Sequence, residues 1–122
     1  MRRGLSILAV ATAVAFSAGA AQGAVTVIGG GMAEACSRAA VNGESDERFE
    51  EFCDIALETE FLNSRDRAGT YVNRGVLRLR RTAYEGAVKD FDMAVKMKPD
   101  LGEGYVNRGA AFIGQERYAE SL

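Results

Sequence analysis

A chain of 122 residues, 48% apolar and 26% charged, is the size of one small domain or a short repeat array. It has no histidine, which removes the commonest general base and the commonest zinc ligand. Its net charge of −2 offers no basic face to nucleic acid.

In chain order, the N-terminus comes first and is a different material from the rest. Arg2 and Arg3 precede an apolar run from Leu5 to Phe16, and Ala18-Gly19-Ala20 supplies an A-x-A site. This is the layout of a secretory signal peptide with its cleavage region over 1–23. The alternative is a retained membrane anchor, but the run is short for a span of ~20 residues. The expectation is an exported chain, periplasmic or secreted, with no membrane contact after cleavage. Loss of residues 1–20 removes two arginines and no acid, moving the net charge from −2 to −4. Two cysteines remain, and an even count in an exported chain favours pairing over free thiols.

Residues 24–31 (Ala-Val-Thr-Val-Ile-Gly-Gly-Gly) are β-prone and end in a glycine triplet. They read as a flexible tail. The triplet has neither GxGxxG spacing nor a P-loop lysine, so it is not a phosphate cradle. An alanine-rich helix follows over 32–42 and ends at Asn42-Gly43. Ser45 or Asp46 can cap a second helix over 46–60, with Phe49, Phe52, Cys53, Ala56, Leu57 and Phe61 on one stripe and glutamates on the other. Asn63-Ser64 breaks the chain again. A third helix is expected over 65–81, with Arg78, Arg80 and Arg81 as a solvated end that suits the helix dipole. Thr82-Ala83 turns into a fourth helix over 84–97, where Tyr84, Ala87, Val88, Phe91, Ala94 and Val95 keep helical spacing until Pro99. Asp100 can cap a fifth helix over 101–114. Gly114 is expected to end it, and 115–122 to open a sixth.

One pentapeptide occurs twice in these helices. Tyr71-Val72-Asn73-Arg74-Gly75 returns as Tyr105-Val106-Asn107-Arg108-Gly109, an offset of 34 residues. Asp66 matches Asp100 and Tyr84 matches Tyr118 in the same register. A period near 34 marks a helix–turn–helix array, in which one pair cannot bury both faces and pairs therefore stack.

These residues resemble the tetratricopeptide repeat (TPR) family, and the signal peptide suggests an exported bacterial type. Tyr71, Gly75, Ala87, Phe91, Ala94 and Pro99 stand at six of the family's positions; Arg78 stands where the family often has tyrosine, and Phe112 restores an aromatic there. The resemblance implies an all-α fold of antiparallel helix pairs stacked as a short TPR solenoid over 32–122. It divides into a degenerate pair (32–63), a complete repeat (66–99) and an incomplete one (100–122). In it, Gly75 faces Ala87 at close range. Aligning Cys53-Asp54-Ile55-Ala56-Leu57 with Phe91-Asp92-Met93-Ala94-Val95 puts Cys53 in the place of the aromatic and Cys36 in the place of Arg74. A Cys36–Cys53 disulfide clasping the first pair is implied.

No catalytic constellation is present: the cysteines are not CxxC, and Asp90 and Asp92 do not share a helix face. The expectation is no enzyme and no cofactor. The resemblance implies instead a protein-interaction scaffold that binds a protein or peptide in a concave face lined by the first helix of each pair. Val72, Asn73, Val76, Leu79 and Arg80 are candidate partner-binding residues, followed one repeat on by Val106, Asn107, Ala110 and Ile113. A carboxamide both donates and accepts, so Asn73 and Asn107 can pair with a peptide main chain. They read equally well as repeat-internal hydrogen bonds or as inheritance by duplication. The alternative function is a structural module that self-associates through its incomplete last repeat, as a fragment of a longer array.

Overall fold

The computed structural model describes residues 23–121, so the expected signal sequence over 1–22 lies outside it. All regular secondary structure among the described residues is helical, with no strand among them. The helices are α1 (Gly31–Val41), α2 (Glu50–Thr59), α3 (Ser64–Arg80), α4 (Tyr84–Met97) and α5 (Gly102–Ser121). None of them is long and apolar enough to cross a membrane.

The breaks follow local chemistry. Asn42 is the C-cap of α1, and Gly43 after it takes a φ of 82°, the left-handed region that glycine enters without strain. Asp46 accepts from the Arg48 amide and starts a single 3₁₀ turn, Glu47–Phe49, that runs into α2. The single helix expected over 46–60 is therefore two pieces. Asn63 caps α3 by accepting from the Asp66 amide at 2.8 Å. Thr82, between α3 and α4, takes a φ of 64° and closes the tight turn of that hairpin.

The expected break at Gly114 is absent, and α5 continues to Ser121. The reason is packing. A Cβ at 114 would stand 2.6 Å from Cε1 of Tyr84, so this glycine serves close approach of α5 to α4. One turn later the Tyr118 ring meets the Tyr84 ring at 6.0 Å between centroids. That contact holds the end of α5 along α4 and leaves no separate sixth helix among the described residues.

α1 packs on α2, α3 on α4, and α5 on α4; α1 and α5 both also touch α3. The main core joins Ala68, Val72, Val76 and Leu79 of α3 to Ala87, Phe91 and Ala94 of α4 and Ala111 of α5. At Gly75 the nearest side chain of α4 is Phe91, in the same core cluster as Ala87. A Cβ at 75 would lie 2.5 Å from Cε1 of the Phe91 ring. The glycine makes a seat for Phe91, the largest fully buried side chain of α4.

Cys36 of α1 and Cys53 of α2 form a disulfide, with Cα atoms 4.9 Å apart. The pair is fully buried beside Leu77, Phe49 and Phe52. In α4 the matching place holds Phe91, so a covalent clasp occupies the site of an aromatic wedge. Closing a loop of this size stabilises by about 3 kcal/mol on a chain-entropy account.

Charged side chains tie the pairs together. Arg74 of α3 reaches Asp90 of its own hairpin at 2.7 Å and Asp54 of the preceding pair at 2.9 Å. Arg108 of α5 reaches Asp92 at 3.2 Å. Asp92 matches Asp54 in the alignment of the two pairs, so both pentapeptide arginines reach back to the same carboxylate of the pair before. Each arginine also lies over the tyrosine three residues earlier, at 5.5 and 5.4 Å. The geometry therefore repeats along with the letters.

The arginines at the end of α3 are not a solvated cluster. Arg78 bridges Glu50 and Asp90, and Arg81 grips Glu50 at 2.6 Å. Arg80 donates to the Glu44 carbonyl at 3.1 Å. Glu50 and Asp90 are buried, and a buried carboxylate requires such partners. Arg78 thus joins α2 to α4.

Candidate functional site

A face formed by α1, α3 and α5 carries two of the candidate partner-binding residues, Asn73 and Asn107, and it is occupied. Residues 23–28 lie extended across all three helices, although 23 is expected to close the cleavage region and 24–28 to belong to a flexible tail over 24–31. Val25 and Val27 are 3% and 4% exposed, while Thr26 and Ile28 point outward. Alternation of period two is what an extended chain on an apolar surface produces. Val25 joins the main core, and a Cβ on Gly69 would stand 2.7 Å from its Cγ1. Val27 packs with Ala33 and Ala56.

Side chains of the helices hold the main chain of this segment. The Val25 amide donates to Asn73 Oδ1, and Asn73 Nδ2 donates to the Val25 carbonyl, both at 2.8 Å. One repeat on, the Gly23 amide donates to Asn107 Oδ1 at 3.2 Å, and Asn107 Nδ2 returns a bond to the Gly23 carbonyl at 2.9 Å. On α1, Ser37 Oγ accepts from the Val27 amide and donates to the Val25 carbonyl, each at 3.0 Å. Arg65 donates to the Thr26 carbonyl at 3.4 Å. The segment runs from α5 over α3 to α1, one rung for every second residue.

Each candidate residue now has a place. Asn73 and Asn107 are fully buried beneath the segment. Their two-way pairing with a main chain is the chemistry a carboxamide allows, and its object is this chain itself. Val72, Val76 and Leu79 are buried in the core, so they are not accessible partner contacts as the molecule stands. Arg80 is spent on the Glu44 carbonyl, and Ala110 is half-buried against the core. Only Val106 and Ile113 are open, at 60% and 53% exposure, together with Tyr105 and Phe112. Val106 and Ile113 lie apart from the buried asparagines, so the nine candidates do not form one surface.

Sequence reasoning missed residues 23–28 and Ser37. A signal was present: Val25 and Val27 alternate with Ala24, Thr26 and Ile28 just before a glycine triplet. Gly29, Gly30 and Gly31 have φ values of 136°, 78° and 77°, which lets the chain turn from the face into α1. Ser37 had no repeat partner to mark it.

The electrostatics beneath this face fix its helices in place. Burial pushes the Glu50 carboxyl upward, but hydrogen bonds from Arg81 and Arg78 outweigh it and hold Glu50 below its ordinary value. Burial likewise works against the Arg74 guanidinium, and Asp90 with Asp54 more than offsets it. At Asp90 burial wins, and the carboxyl sits above its ordinary value despite Arg74 and Arg78. Among the described residues, no group of three or more Cys, Asp or Glu could hold a metal ion. The arrangement holds and orders a main chain. Searched against protein-family models, curated proteins and solved structures, the chain matches none.

Proposed function

We propose that this chain is a protein-interaction module of TPR type, working in an exported compartment. It holds an extended polypeptide on the face of α1, α3 and α5. The observation that carries this reading is the paired asparagine ladder: Asn73 and Asn107 each satisfy both the amide and the carbonyl of one residue of an extended chain. Such bonds do not depend on that chain's side chains, so they suit recognition of a polypeptide as such. The disulfide is in keeping with an oxidising compartment. The signal-like N-terminal sequence points the same way. The test is selection of binders from a displayed peptide library, with their footprint read by amide hydrogen exchange. Protection of α3 and α5 around Asn73 and Asn107 is expected. Binders that protect only other surfaces would overturn this reading.

A second reading is self-association through α5, and one observation favours it. Tyr105, Val106, Phe112 and Ile113 are all exposed, although the matching face of α3 is covered by α4. Sedimentation that shifts with concentration, and no longer shifts in Val106→Glu/Ile113→Glu, is the expected outcome. Concentration-independent sedimentation of the unaltered protein would remove it.

A further inference from the structure

Residues 23–28 meet the helices in an unusual way for a piece of core. Every hydrogen bond described above joins the segment's main chain to a helix side chain: Asn73, Asn107, Ser37 or Arg65. Only two side chains of the segment, Val25 and Val27, are buried. Small residues lie directly against them, Gly69 under Val25 and Ala33 and Ala56 beside Val27, with Met32 and Leu62 also packed on the Val27 cluster. At position 23 the nearest atom to an added Cβ is Glu103 Cγ at 3.5 Å, an ordinary contact, so a small side chain fits there too. Among the described residues the chain leads from the segment into the body through Gly29-Gly30-Gly31, where the Gly30 amide donates to Glu34 Oε2 at 2.6 Å and a Cβ on Gly29 or Gly30 would meet nothing within 4 Å. Its contacts are thus ones that any extended chain of suitable pattern can make, and its tether is a hinge.

We propose that residues 23–28 are a tethered, exchangeable occupant of the face, and that the external ligand is an extended peptide which displaces them. This rests on the interaction reading given above and adds the ligand's pattern and its competitor. The ligand carries β-branched apolar residues two apart, at the places of Val25 and Val27. It has a small residue at the place of Gly23 and is unrestricted where Thr26 and Ile28 face solvent. It runs in the direction from α5 to α1, because the two-way asparagine bonds and the Ser37 bridge fix which residue's carbonyl is shared. A segment held by a short flexible tether acts at an effective concentration of about a millimolar. The face is accordingly closed to weak ligands until the segment lifts.

The probe is a fluorescein-labelled peptide, Gly-Ala-Val-Thr-Val-Ile, read by anisotropy. In one arm a protease site is inserted between Gly29 and Gly30, so the protein folds intact and is cut afterwards. Dilution should release the N-terminal fragment while helical circular dichroism is retained. The freed body should bind the probe at least tenfold more tightly than the uncut protein does. A probe with aspartate at both valine positions should not bind. In the second arm Val25→Asp/Val27→Asp in the uncut protein should raise probe affinity in the same way. A fragment that stays bound at every dilution, or whose release unfolds the body, makes the segment a fixed part of the core and overturns the proposal. Equal probe affinity before and after cutting also overturns it. If exchange fails while selected peptides still protect α3 and α5, only this inference falls. If the probe exchanges but no selected peptide protects that face, the interaction reading falls instead.

Discussion

The two copies of the pentapeptide share five letters and three contacts, yet they stand in opposite surroundings. In both, arginine lies over tyrosine, reaches an aspartate of the preceding pair, and follows an asparagine that holds a main chain. But Val72 is fully buried and Val106 is 60% exposed. A Cβ on Gly75 would strike the Phe91 ring, whereas one on Gly109 would meet nothing within 4 Å. The difference is the helix that follows. α4 folds back over α3; α5 runs straight on, pinned by Tyr84 against Gly114 and Tyr118. The valine is core in one place and surface in the other, although the asparagine is buried in both. The motif therefore specifies its contacts to the preceding pair and to the N-terminal main chain, and not the burial of every residue.

The largest effect should come from removing what covers the first copy. Phe91→Ala empties the seat over Gly75 and should cost about 3–5 kcal/mol in denaturant unfolding. No residue covers Gly109, so no described side chain offers an equal loss around the second copy. Next come the arginines. Arg74→Met leaves buried Asp90 with Arg78 alone and exposes the loss of Asp54, and should cost about 2–4 kcal/mol. Arg108→Met breaks one pair with a half-exposed Asp92 and should cost about 0–1 kcal/mol. Equal costs for the two would break the contrast.

The glycines should then differ in sign. Gly75→Ala forces Phe91 off its seat and should destabilise by about 1–3 kcal/mol. Gly109→Ala, in open helix, should stabilise by about 0.5–1 kcal/mol through helix propensity. Thermal melts of the pair decide this directly.

The smallest effect is the pH dependence of the network beneath α3. Glu50 is held below its ordinary value of 4.5, so its contribution is present in full above that pH and is lost as pH falls through the lower folded value. The stability gap between the unaltered protein and Glu50→Gln should therefore narrow on acidification below about 4.5. Asp90 shifts the other way and shares Arg78 with Glu50, so the same comparison made on an Asp90→Asn background isolates the Glu50 contribution. A gap that widens in acid would show that the Arg78 and Arg81 bonds do not control Glu50.

Much of the helical order was legible because it rests on local chemistry. Asn42-Gly43, Asp46 and Asn63 act where their side chains or backbone freedom act in any chain. The spacing from Tyr84 to Val95 could only be helix. The cysteine pairing came from aligning one pair with the next, which is again a local pattern repeated. Gly114 misled for a physical reason: a glycine that ends a helix and one that admits a neighbouring ring have the same letter. The charge run at Arg78–Arg81 misled likewise, because Glu50 and Asp90, which bury it, come from other helices.

By itself the sequence determined an all-helical chain, the repeat unit, and the chemistry of its asparagines, since a carboxamide that both gives and takes a hydrogen bond is suited to a main chain anywhere. Only the tertiary structure decided which main chain that is. Asn73 and Asn107 lie 48 and 84 residues from their partners Val25 and Gly23. No local pattern encodes a pairing across that distance. It exists because stacking α1, α3 and α5 sets Ser37, Asn73 and Asn107 in a row that an extended chain can follow.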